Sequence, residues 1–428
     1  MALLPTFTTF VSVCVYLGKV FAYDNSYYDN VAIYWGQNSY GATSSNTAYY
    51  QRPISFYCQV VLVFASVARR DSFWEPKDDA IDALPVAFVD TFFGTGGMPT
   101  CNPTDNATFS GTDLANCSAL AADIEYCQSQ GKIVTISLGG AGGGVGFTSD
   151  AEAQTFAQTI WNLFLGGKSN TRPFGSAVLD GVDLDIEGGG STGYAAFVTE
   201  IRSLASGASK PYYITGAPQC PFPDANLGGV IDQVGFDAIY VQFYNNACGL
   251  QNYRIVSDWD FGVWDMWARQ TSPNANVKIY IGAPASSTAA GSGYVPISNL
   301  STIAVQMRRS FPSFGGVMLW DTSQAYANNR YDLAIKQALS ATGSTGFTYP
   351  PCSAAAYVSG QVYTAGETAS YEGYIWELTG PIPYPVVVAR VAGVRCLCGV
   401  VDTAVADDHF SDHFKFSPDR FNYFLICK

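Results

Sequence analysis

Eight short runs rich in β-branched and aromatic residues recur between Val31 and Thr322: Val31–Trp35, Leu84–Val89, Lys132–Leu138, Leu179–Glu187, Tyr212–Ala217, Ala238–Tyr244, Val277–Gly282 and Gly316–Trp320. Most are separated by stretches long enough for a helix, and two helices are plain from their spacing. Ala151–Leu165 puts Phe156, Ile160 and Phe164 on one face after Ser149-Asp150, and Tyr194–Leu204 gathers Tyr194, Phe197, Val198 and Ile201 after Ser191. Strands alternating with helices predict a parallel sheet joined by crossovers, and eight such units over about 290 residues match the α/β fold known as the (β/α)8 TIM barrel. An open doubly wound sheet is the alternative. Against it, Gly139–Gly144 lacks both the Lys-Ser/Thr of a phosphate loop and the glycine spacing of a dinucleotide site.

Histidine supplies the sharpest exclusion. The 428 residues hold two, His409 and His413, both close to the end of the chain. Ser-His-Asp catalysis, Cys-His catalysis and His-ligated zinc therefore have no histidine in the body of the protein, and acid-base chemistry falls to carboxylates with Tyr or Lys as helpers. The formal net charge of -13 leaves no grip on nucleic acid or anionic membrane without a local basic patch, and the sequence contains none. A low charged fraction, 13% against 48% apolar residues, fits a folded, secreted protein.

Export is legible at the start of the chain. Residues 1–22 hold an apolar run from Phe10 to Leu17 and end in Val20-Phe21-Ala22, which reads as a secretory signal peptide; the run is too short for a membrane anchor, the alternative. No stable membrane insertion is expected once the leader is removed. Eleven cysteines without a paired C-x-x-C pattern suit an oxidising compartment. Cys58, Cys101, Cys117, Cys127, Cys220 and Cys248 lie in the main body, while Cys352, Cys396, Cys398 and Cys427 lie beyond it. Sequons at Asn106, Asn116 and Asn299 are compatible with glycosylation.

The fourth run reads Asp180-Gly181-Val182-Asp183-Leu184-Asp185-Ile186-Glu187, followed by three glycines. Alternation along a strand sends Val182, Leu184 and Ile186 outward under the helices and leaves Asp183, Asp185 and Glu187 inside the barrel. Like charges that close repel in low dielectric, so at least one proton is retained or shared, and Glu187, outermost at the C-terminal mouth, is the expected holder. A cation site and a structural network are the alternatives; a regular inward row ending at the mouth suits a tuned acid better than an enclosing set of oxygen ligands. Carboxyls on one strand cannot straddle a scissile glycosidic bond, so the geometry favours a substrate that supplies its own nucleophile.

At this point the chain resembles the family-18 glycoside hydrolases, in particular the plant and fungal class III endochitinases of the hevamine type. The segment Asp180–Glu187 matches the family's DGxDxDxE signature in full, supported by Tyr34-Trp35-Gly36-Gln37-Asn38, Ser137-Leu138-Gly139-Gly140, Ala217–Pro223, Gln242–Asn246 and Gly315–Trp320. The resemblance covers about residues 30 to 340 and implies retaining hydrolysis of β-1,4 links between N-acetylglucosamine units by substrate assistance. It implies Glu187 as the acid, Asp185 orienting the acetamido N–H, Asp183 modulating Asp185, Tyr244 bonding the acetamido group and Trp320 forming a floor beneath that sugar. Tyr34, Gln37, Gln242 and Asn245 are candidates for lining the cleft. It further implies Cys58–Cys127, Cys101–Cys117 and Cys220–Cys248 bridges. Chitin and its oligomers are the expected partners, with no cofactor, no metal and no nucleic acid; a secreted, wall-associated monomer is expected. An inactive carbohydrate-binding or inhibitory relative, a wall glycoprotein and an endo-β-N-acetylglucosaminidase are the rivals.

Within a barrel taken as residues 23–347, the segment 60–77 has no counterpart in the family. A retained intron translated in frame accounts for it; a genuine insertion before a strand, away from the mouth, is the alternative. After Pro350-Pro351, residues 352–377 resemble the opening half of a chitin-binding module, without the aromatic pair expected after Trp376. Residues 378–428 carry no assignable pattern, and a gene-model artefact is expected there.

Overall fold

A computed structural model describes residues 23–43, 53–58, 79–101, 107–142, 144–358, 361, 363–378 and 389–395. The leader, the segment 60–77, the Asn106 sequon and both histidines lie outside the described residues. In chain order the elements are β1 (Asn30–Ile33), α1 (Ser39–Thr43), β2 (Ala83–Thr91), β3 (Thr100–Cys101), α2 (Ala121–Ser129), β4 (Ile133–Gly139), α3 (Asp150–Phe164), β5 (Gly181–Asp185), α4 (Tyr194–Ala205), β6 (Tyr213–Gly216), α5 (Gly228–Ile231), β7 (Ala238–Gln242), α6 (Phe261–Gln270), β8 (Lys278–Pro284), α7 (Ile297–Ser310), β9 (Phe314–Trp320), α8 (Thr322–Ala327) and α9 (Tyr331–Ser340). The strands β1, β2 and β4 to β9 pair in parallel, and Ala32 opposite Ala83 joins β1 to β2. The sheet is thereby closed, an eight-stranded (β/α)8 barrel rather than an open doubly wound sheet.

Alternation along each strand divides the core into two clusters. Val31 and Ile33 on β1, Ile239 and Val241 on β7, and Ile279 and Ile281 on β8 pack outward under the helices. Their neighbours Ala32 and Tyr34, Ala238 and Tyr240, and Tyr280 fill the barrel interior with Phe88 and Met318. The two helices read from spacing form as α3 and α4. Ser149 caps α3 by accepting from the Glu152 N–H at 3.2 Å, and the Glu152 carboxylate reaches back to the Thr148 N–H at 2.6 Å, closing the first turn.

Cys58 is bonded to Cys127, tying the segment before β2 to α2, and Cys220 is bonded to Cys248. The Cys101–Cys117 bridge is not present: both are buried free thiols. Burial pushes the Cys117 thiol up to about 11 and Cys101 further, which withholds the thiolate that disulfide exchange requires.

Beyond the barrel, β10 (Thr368–Tyr371), β11 (Tyr374–Leu378) and β12 (Ala389–Arg395) form a separate antiparallel sheet. The stretch left unassigned after Leu378 thus supplies a strand, β12, which lies against α6 and α7. Tyr374 is fully buried, and its hydroxyl donates to Asp265 Oδ2 on α6 at 2.9 Å. Trp376 is half-buried and donates through Nε1 to the Tyr371 carbonyl at 3.1 Å. Cys352 is disulfide-bonded. Among the described residues no helix is long and apolar enough to cross a membrane.

Candidate active site

Strand β5 carries the acidic row. Asp183 and Asp185 lie inside the barrel, with Val182 and Leu184 packed outward. The strand stops at Asp185, two residues short of the predicted end, so half-buried Glu187 stands just past it at the mouth, ahead of the exposed Gly188, Gly189 and Gly190. Close approach of β4 makes this possible: Gly139 adopts φ +115°, and a Cβ there would fall 2.0 Å from the Asp185 carbonyl.

Asp183, fully buried, is bound by three hydroxyls. Tyr34 Oη and Ser137 Oγ each donate to Oδ2 at 2.7 Å, and Thr215 Oγ1 donates to Oδ1 at 2.6 Å. The ladder explains the arrangement, because Ser137 on β4 and Thr215 on β6 both sit opposite Asp183 in register and face inward with it. Burial raises the Asp183 carboxyl above its ordinary range, and the three donors offset part of that rise. Tyr34 is therefore a support beneath the cleft rather than part of its lining.

Asp185 is raised well above the ordinary carboxylate range, by burial first and then by the charges of Glu187 and Asp183; a hydrogen bond to Glu187 raises it further. Asp185 is thus the buried member of a hydrogen-bonded Asp185–Glu187 pair, and burial beside two like charges disfavours its ionised form. Gln242, at the end of β7, holds the pair together: its Nε2 lies 2.9 Å from Asp185 Oδ1, 3.2 Å from Glu187 Oε1 and 2.9 Å from the Ala217 carbonyl.

Tyr244 follows β7, buried, and its hydroxyl stays neutral because burial and the charges of Asp185, Glu187 and Asp183 all raise it. Trp320 ends β9, four strands round the barrel from β5 and so across the mouth from Glu187. Its ring stacks on Phe88 with centroids 5.7 Å apart and lies 5.5 Å from Tyr34. Gln37 donates to the Ala87 carbonyl at 3.2 Å on the β1–β2 side of the mouth. Asn245, the residue after Tyr244, is exposed, and its Oδ1 accepts from the Ser292 N–H at 3.1 Å.

Sequence reasoning missed Phe88, Thr215 and the role of Ser137. Phe88 was detectable as the aromatic residue near the end of the second predicted strand. Among the described residues no group of three or more His, Cys, Asp and Glu is arranged to hold a metal ion.

Strand β5 and the turn just past it thus supply all three carboxyls, and an aromatic ring and a neutral hydroxyl share the mouth with them. The model of the glycosyl hydrolases family 18 matches residues 30–296. Chitinase 2 of Rhizopus oligosporus is 47% identical over 324 residues, 75% of this chain and 54% of its own length. The chain spans about half the length of these curated relatives, 53% of the Endochitinase of Saccharomyces cerevisiae among them. Among solved structures, the ICChI chitinase of Ipomoea carnea superposes with TM-score 0.55 at 28% identity, covering 72% of this chain and 99% of that one. With carboxyl row, barrel and sequence all in agreement, the chain belongs to glycosyl hydrolase family 18.

Proposed function

We propose that the protein is a secreted endochitinase that cleaves β-1,4 links between N-acetylglucosamine units with retention, the reaction of the chitinases it resembles. The observation that carries this reading is the hydrogen-bonded Asp185–Glu187 pair on one side of the mouth, with Trp320 across from it. In this reading Trp320 bears the sugar ring and Glu187 gives its proton to the leaving oxygen. The acetamido carbonyl oxygen attacks the anomeric carbon to form an oxazolinium-like ion. Asp185 turns to accept the acetamido N–H, leaving the shared proton on Glu187, while Asp183 stays fixed by its three hydroxyls. Tyr244 donates to the acetamido oxygen, and water, giving a proton back to the Glu187 carboxylate, then opens the ion from the face the leaving group vacated, opposite the bond to the acetamido oxygen.

Export through the leader and attachment at a chitin-containing wall belong to the same reading, supported by the disulfides and by exposed sequons at Asn116 and Asn299. Residues 352–377 serve as a secondary sugar-binding segment; with Tyr374 committed to Asp265, stacking there falls to the cluster of Tyr357, Tyr363 and Tyr371.

The xylanase and alpha-amylase inhibitor protein of Scadoxus multiflorus, 30% identical with TM-score 0.54 over 72% of this chain and 97% of that one, favours an inhibitory rival on the same fold. Incubation with defined N-acetylglucosamine oligomers and anomer detection separates the two. β-Anomeric products are expected; α-anomers would remove substrate assistance, and no products would leave the inhibitor reading.

A further inference from the structure

Two adjacent phenylalanines follow β2 and have opposite fates. Phe92 is fully buried, 4.6 Å from the Phe156 ring of α3, whereas Phe93 is 47% exposed. Phe93 is nevertheless held: its ring lies edge-on to Phe156 at 5.4 Å and to Phe147 at 6.3 Å, on an aromatic cluster that includes Tyr194 and Phe197. An exposed ring fixed on a buried aromatic bed keeps an apolar face toward water at little further cost in conformational entropy.

The ground between Phe93 and Glu187 is the second observation. The loop after β4 crosses it, with Gly144 paired to Thr91 and accepting from the Phe92 N–H at 3.2 Å. On its far side the loop closes on the glycines after Glu187, where a Cβ on Gly189 would fall 2.6 Å from the Val145 carbonyl. Gly142, Gly144, Gly188, Gly189 and Gly190 are all exposed, and a Cβ at Gly142, Gly188 or Gly190 would meet nothing. The surface is a low shelf, roughly 10 Å across from two inter-strand spacings between β2, β4 and β5. Between Ala141 and half-buried Val145 on one loop and Glu187 on the other, the exposed glycines leave room for bulky N-acetyl substituents, and the Phe93 ring offers an aromatic face that suits the C–H face of a pyranose ring.

We propose that Phe93 is a stacking platform for a sugar beyond the reacting pair, making it a residue that sets preference for longer chains. The proposal rests on the chitin-hydrolysing reading above. Its test is hydrolysis of the N-acetylglucosamine trimer through hexamer by the unmodified chain, Phe93→Ala and Phe93→Trp. For Phe93→Ala, KM on the hexamer rises about fivefold to tenfold with kcat unchanged, while the trimer is cleaved as before; Phe93→Trp restores the hexamer. A Phe93→Ala profile matching the unmodified one would overturn the platform, and so would an equal loss at every length, which marks a merely structural ring. Absence of turnover by the unmodified chain would instead remove the enzymatic reading, and this proposal with it.

Discussion

Asp185 is pushed further above the carboxylate range than Asp183, although both are buried, because Glu187 adds its charge and a hydrogen bond to one and three hydroxyls support the other. The sign of the pH effect follows. A carboxyl whose folded pKa exceeds its unfolded value binds more proton when folded, so its contribution favours folding in acid and is lost as pH rises from about 4 through the folded value. Asp185→Asn removes that liability. The variant is expected to melt above the unmodified protein at pH 8, with the gap closing towards pH 4, as measured by thermal unfolding; a gap that widens in acid would refute the raised Asp185 carboxyl. Glu187→Gln, which cannot deliver a proton, is expected to lose at least about a hundredfold in kcat while oligomer binding by calorimetry persists. The acidic row itself was legible, since three carboxyls at alternate positions of one strand have no structural use in an apolar barrel. Thr215 was not, because nothing local in its own segment marks it.

At the scale of elements, what brings Thr215 to Asp183 is register. Strand β6 places Thr215 opposite Asp183 and β4 places Ser137 opposite it, from positions 32 and 46 residues away in the chain. Strand existence could be read from β-branched runs; register depends on pairing across a closed sheet, which no single run encodes. For the same reason the fourth strand was predicted to reach Glu187, whereas β5 ends at Asp185, where the ladder with β4 also ends at Gly139. Thr215→Val keeps the shape of the side chain and deletes one donor to a buried carboxyl. Urea unfolding at neutral pH should show a loss of about 1.5–3 kcal/mol, shrinking as pH falls and Asp183 takes a proton. An equal loss at every pH would mean that packing, and not the hydrogen bond, is at stake.

For the whole molecule, the informative contact lies away from the mouth. Asp265 on α6 is fully buried; its Oδ1 accepts from the Ser313 N–H at 3.0 Å and from the Ser313 hydroxyl, and its Oδ2 accepts from Tyr374. Ser313 immediately precedes β9, so this junction is at the N-terminal end of the barrel, the face associated with stability. Strand β11 therefore carries Tyr374 into the barrel's own core, and β12 extends the sheet over α6 and α7. The sequence could not disclose this, because β12 has a partner only once β11 is docked and its own segment carries no turn or repeat signal. Tyr374→Phe removes one donor from a buried carboxylate without creating a cavity, so a cost of about 1–3 kcal/mol is expected, a drop of a few degrees in the melting temperature of a chain this large. Oligomer hydrolysis should keep its kcat and KM, since the junction is at the end of the barrel opposite Glu187. A melting temperature unchanged by Tyr374→Phe would show that the C-terminal sheet does not brace the barrel at Asp265, and a fall in kcat at constant stability would place the sheet's influence at the mouth instead.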